Sequence, residues 1–145
     1  MWRVVANDAH ALPASDATKG RPDFSAGEMK KGATLYYWED DSRLGPIVYK
    51  LTILDRTVDR AVVASESLTP VRRLYVTLLK AGALQWAAFF VKISPDTWGI
   101  YILNRVGEGA GLLSGGHEAS YVNHTVALYR HFAGIQTDLE PPAIR

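Results

Sequence analysis

The residues best able to do chemistry lie between positions 105 and 123. Arg105, Glu108, His117, Glu118, Tyr121 and Asn123 can donate, accept or titrate near neutral pH. Among them runs Gly107-Glu-Gly-Ala-Gly-Leu-Leu-Ser-Gly-Gly116, with five glycines whose backbone amides lie open to close approach by a ligand. Two chemistries fit. Loop amides and the first turn of a following helix can hold an anion or a polar ligand group. Alternatively, His117, Glu118 and Tyr121 beside the 107–116 loop could serve a small hydrolase as acid and base. A dinucleotide fingerprint is a poor reading, because it needs a βαβ unit and only one helix and a tail follow these glycines. Ser114 stands in Leu-Leu-Ser-Gly-Gly and lacks the Gly-x-Ser-x-Gly elbow of a serine nucleophile.

The segment His117–Phe132 has neither glycine nor proline and is predicted to be helical. At about 100° per residue, His117, Tyr121, His124, Leu128 and His131 fall within roughly 40° of one line. Metal ligation by this stripe is disfavoured. His117 and His124 are about 10 Å apart along the axis, whereas helical zinc ligands usually sit three or four residues apart. His117-Glu118 opens like His-Glu-x-x-His but does not complete it. The stripe therefore reads as half-buried amphipathic rings, and no metal or other cofactor is expected. Asn123-His-Thr125 is a formal glycosylation sequon placed by accident in a helix.

Positioning these groups falls to a set of short strands. Residues 34–39, 47–54, 60–68, 84–93 and 98–104 are rich in aromatic and β-branched side chains, and turn residues separate them. Residues 71–79 are ambiguous between helix and strand, and the Lys80-Ala-Gly-Ala83 turn suggests a hairpin with the strand that follows. Gly134, just after Arg130 and His131, stands where a helix C-cap belongs. The predicted fold is α+β: an antiparallel β-meander of five to six strands with a C-terminal helix packed on one face. Residues 1–32 read as an irregular N-terminal arm, with one helical turn suggested by the capping spacing of Ser25 and Glu28, and with Leu12 and Phe24 able to pin it to the body. Residues 33–134 form a single domain, and 135–145 a tail. Trp38, Trp86, Trp98, Tyr49 and Tyr101 lie on neighbouring strands and suit either the core or a pocket. Glu66 with Arg72, and Glu108 with Arg105, are the ion pairs expected if such groups turn inward.

Composition sets the outer limits. The chain has 145 residues, 48% hydrophobic and 21% charged, with a net charge of +1, so one globular domain is expected. Near-neutral charge argues against nucleic acid as partner. The absence of cysteine excludes disulfides, thiolate catalysis and sulfur-based zinc sites. No apolar run is long enough for a membrane helix, and the first residues contain no signal-peptide core.

Several segments carry a resemblance: Arg21-Pro-Asp-Phe24, Leu68-Thr-Pro-Val-Arg72, Gly82-Ala-Leu-Gln85, Gly107-Glu-Gly-Ala110, Gly116-His-Glu-Ala-Ser-Tyr-Val-Asn123, Ala127-Leu-Tyr-Arg-His131 and the block 137–145. Together they resemble an uncharacterised bacterial family of exported proteins that carries only a domain-of-unknown-function label. Members are longer at the N-terminus and begin with an export signal, so this chain would match their C-terminal part. The resemblance implies a periplasmic or secreted setting and supplies no catalytic residue. A curved sheet gripping a helix is also similar to helix-grip lipid carriers, an analogy of architecture alone. The expectation is a non-catalytic binding module of the bacterial cell envelope for a small hydrophobic or lipid-like ligand. Its binding residues would be Arg105, Glu108, His117, Glu118, Tyr121 and Asn123, and the alternative is the small hydrolase.

Overall fold

Alternation along the strands decides which face is covered. In Gly45–Arg56, the side chains of Ile47, Tyr49, Leu51 and Ile53 are buried while those between them are not, the period-two pattern of a sheet with one packed face. The computed structural model describes residues 6–73, 75–107 and 118–135. Its strands are β1 (Ala6–Leu12), β2 (Thr34–Asp41), β3 (Gly45–Arg56), β4 (Arg60–Ser67), β5 (Val71–Arg73), β6 (Val76–Leu79), β7 (Leu84–Ser94) and β8 (Thr97–Val106), followed by helix α1 (Glu118–Phe132). A six-stranded antiparallel sheet has the order β1-β2-β3-β4-β7-β8, and β5 and β6 form a separate two-stranded sheet. The α+β meander with one C-terminal helix is the predicted fold.

Turn chemistry fixes the register. The Asp41 carboxylate accepts from the Arg43 and Leu44 amides, both at 2.8 Å, and Gly45 follows at φ 79°. Gly82 occupies φ 77° between β6 and β7 and donates to the Ser67 carbonyl at 2.6 Å. Both positions need the left-handed region that glycine enters without strain. At the end of α1, Gly134 (φ 65°) donates to the His131 carbonyl at 3.2 Å and Ile135 to Arg130 at 3.0 Å. That pair of bonds is a Schellman cap, at the glycine where the sequence places it.

Two local expectations are corrected. The arm is not irregular throughout, because Ala6–Leu12 is an edge strand paired from Ala6↔Asp41 to Leu12↔Tyr36. Residues 71–79 do not pair with the strand after them. They fold back on themselves as β5–β6, while β7 pairs with β4 and β8.

Three pieces cover the packed face of the sheet. The β5–β6 hairpin sets Val71 and Leu79 against Ile47, Tyr49 and Ala83. The arm places Phe24, Met29 and Ala33 over Leu51, Ile53 and Val63. Helix α1 lies along β8, where Asn104 Nδ2 donates to Thr125 Oγ1 at 2.6 Å and Thr125 donates on to the Tyr121 carbonyl at 2.9 Å.

Candidate functional site

Between the arm and the end of α1 lies a cleft of about 1320 Å³, larger than the roughly 300–1,000 Å³ of ordinary small-molecule sites. Its floor is apolar: Leu51 and Ile53 of β3, Val63 of β4, and Trp86 and Phe90 of β7. Strand register explains the set. Ile53 faces Val63, Val63 faces Ala88, and Ala61 faces Phe90, so these side chains share one face of the sheet. The helix end closes one wall. The Phe132 ring meets Phe90 edge-on at 5.3 Å and Trp86 at 6.0 Å. Phe24 and Met29 of the arm form the opposite wall.

Polar groups in the floor satisfy one another. Trp86 Nε1 donates to Tyr37 Oη at 3.2 Å, and Tyr37 Oη shares a hydrogen bond with Ser65 Oγ at 3.0 Å. Burial pushes the Tyr37 phenol well above its ordinary value, so it stays neutral and can both donate and accept. Charge is confined to the rim, where Arg21, Asp23, Arg56 and Arg60 line the mouth. Arg21 grips both Glu28 carboxylate oxygens at 2.6 and 3.1 Å. With the Ser25 amide and hydroxyl also donating to Glu28, at 2.9 and 2.8 Å, that carboxyl is held down at about 2. The Met29 amide donates to the Ser25 carbonyl at 3.3 Å, which is the expected single helical turn. Arg56 donates to the carbonyls of Ala26, at 3.0 Å, and of Met29, which fastens the arm across β3.

Of the residues singled out in sequence, Arg105, Tyr121 and Asn123 have described side chains, and none of the three lines this cleft. Arg105 lies on the other face of the sheet, since its neighbour Asn104 reaches the helix, and it donates to Gln85 Oε1 at 3.3 Å. That outer face carries a polar row across four strands, Lys50, Glu66, Gln85 and Arg105, above a second, shallower hollow of about 550 Å³. Glu66 pairs with Lys50 rather than Arg72. Tyr121 and Asn123 lie half-buried on α1, and Asn123 Oδ1 has no hydrogen-bond partner among the described residues. Glu108, His117, the 107–116 loop beyond Gly107 and the Glu118 side chain lie outside the described residues, as does the 136–145 part of the tail. The pairing of Glu108 with Arg105 and the hydrolase set therefore find no geometry here. His124 sits in the expected ring stripe, and burial pushes its imidazole below the ordinary value, toward the neutral form.

The cleft is thus at the end of α1 rather than its start. Of the aromatics named in sequence, Trp86 and Trp98 line it. Tyr49 is buried against Tyr37 at 5.0 Å, Trp38 stacks on His10 at 4.8 Å, and Tyr101 is exposed. Sequence reasoning had Phe24 pinning the arm to the body, as it does, but missed Tyr37, Met29 and Arg56. None of these three carries a local sequence signal for the cleft. Among the described residues no three His, Asp or Glu could hold a metal ion, and no helix is long and apolar enough to cross a membrane. No protein-family model, no curated protein and no solved structure matches the chain.

Proposed function

We propose that this chain is a non-catalytic binding module that takes a small hydrophobic or lipid-like ligand. The observation that carries the reading is the cleft itself. It is wide, floored by Leu51, Ile53, Val63, Trp86 and Phe90, and its only polar floor groups are mutually bonded. Leu51, Ile53 and Val63 are already buried, so the apolar surface a ligand can still remove from water, at about 25 cal/mol per Å², is that of the partly buried Trp86 and Phe90. An apolar cleft with few polar groups is the ordinary form of a ligand site. The envelope setting belongs to the same proposal and rests on the segment resemblance.

N-phenyl-1-naphthylamine, a neutral apolar fluorophore, tests the reading. Its fluorescence should rise saturably with one-to-one stoichiometry, and Phe90→Lys, which sets a charge in the floor, should abolish the rise. Absence of saturable binding, or binding that survives Phe90→Lys in a folded variant, sinks the reading.

A further inference from the structure

We infer that the cleft selects an anionic amphiphile, with an alkyl body on the Leu51–Phe90 floor and a carboxylate or phosphate headgroup at Arg56. This rests on the binding reading above and goes on to the ligand's charge.

Most charges at the mouth are matched within the protein. Arg21 is matched by Glu28 in a two-bond clasp. The Asp55 carboxylate is shared by Lys31 at 3.3 Å and by Arg60, which leaves the trio one positive charge in excess. The Asp23 carboxylate, itself in the lining, accepts from the Phe24 amide at 2.7 Å, and the formal charges of the lining residues and these partners sum to +1. Arg56 differs from all of these. Its Nη1 donates to two neutral carbonyls, and it has no carboxylate partner among the described residues. A guanidinium carries five N–H donors in a flat fork, so Nε and Nη2 remain for a planar or tetrahedral anion. At the helix end, the Gly134 and Ile135 amides already bond the carbonyls of His131 and Arg130. A neutral chain would use the floor and leave that fork in water. A cationic one would meet an excess of like charge.

Displacement of N-phenyl-1-naphthylamine by four decyl compounds reads the preference at neutral pH. Decanoate and decyl phosphate should displace the fluorophore at concentrations about tenfold below decanol, the size of one charge-assisted hydrogen bond. Decyltrimethylammonium should be weakest. The stronger of the two anions identifies the headgroup. Raising the salt concentration should narrow the gap between anions and decanol. Arg56→Gln should erase the gap between the anions and decanol, whatever loosening the arm does to all four compounds alike, and Arg56→Lys should keep part of it. Decanol binding as tightly as the anions overturns the inference. So does an anion preference that survives Arg56→Gln. If both Arg56 variants weaken all four compounds alike, Arg56 is only an arm latch and the inference falls. A fluorophore that binds without any charge preference defeats this inference alone, whereas one that never binds defeats the cleft reading with it.

Discussion

Glu39 shows how one side chain can set the pH response of the fold. It stands on the covered face of β2, and burial together with the nearby Asp41 charge pushes its carboxyl up to about 7. Tyr37 and Tyr49 face it from β2 and β3, and both phenols are shifted upward by burial and by the Glu39 charge. His124 of α1, in turn, feels Asp41. A raised acid favours the protonated form in the folded state. Between the ordinary value of 4.5 and about 7 the native chain therefore binds the extra proton, and stability falls as pH rises through that window. Above it, the ionised group is a standing penalty, on the order of 1–2 kcal/mol once solvent screening at this half-buried site is allowed for. Glu39→Gln should thus stabilise the protein at pH 8 and have little effect near pH 4.5, measured by urea unfolding at both values. An equal difference at the two pH values would assign the effect to packing instead.

The arm shows the same economy at the level of an element. It is tied at one end by the Arg21 amide on the Ala11 carbonyl, at 2.8 Å, and at the other by the Gly32 amide on the Ile53 carbonyl, also at 2.8 Å. Between these ties stands the Arg21–Glu28 clasp. Glu28 is an acid with a lowered value, so its contribution is present above the ordinary 4.5 and fades as pH drops toward 2. Glu28→Gln should speed tryptic cleavage after Lys30 and Lys31 several-fold at neutral pH, while the melting temperature shifts by less than about 3 °C. Unchanged cleavage would mean that Arg56 and the backbone ties hold the arm by themselves. Much of the element plan was legible in sequence, because turns leave chemical marks: Asp41 before Gly45, Gly82 before β7, Gly134 after α1. β1 was not, since Ala6-Asn-Asp-Ala-His-Ala-Leu12 has weak strand propensity and takes its conformation from pairing with β2. The candidate site was only partly legible. Arg105 and Asn104 differ by one position and so face opposite ways, a consequence of register that composition does not reveal. The arm's path over β3, which supplies Phe24, Met29 and the partners of Arg56, is a long-range contact with no local signature.

At the scale of the molecule, among the described residues, the β5–β6 excursion interrupts an otherwise consecutive meander after β1. β2, β3 and β4 are joined by tight turns, as are β7 and β8. Each group can zip up locally. Uniting them requires β4 to meet β7 across the segment 68–83, and closing a floppy loop of that length is entropically uphill. The excursion shortens the gap. Once β5 and β6 pair, Gly82 and Leu84 are held at Ser67 through its carbonyl and hydroxyl, at 2.6 and 3.3 Å. Leu79, 1% exposed, anchors that clip to Ile47 and Tyr49. The consequence is kinetic: hairpin closure becomes the step at which two half-sheets turn into one nucleus. In a stopped-flow chevron, Leu79→Ala should slow refolding by most of its loss in stability, whereas Ala11→Gly on the edge strand should chiefly quicken unfolding. Equal partition at the two positions would mean that the strands condense together, with the excursion docking afterwards.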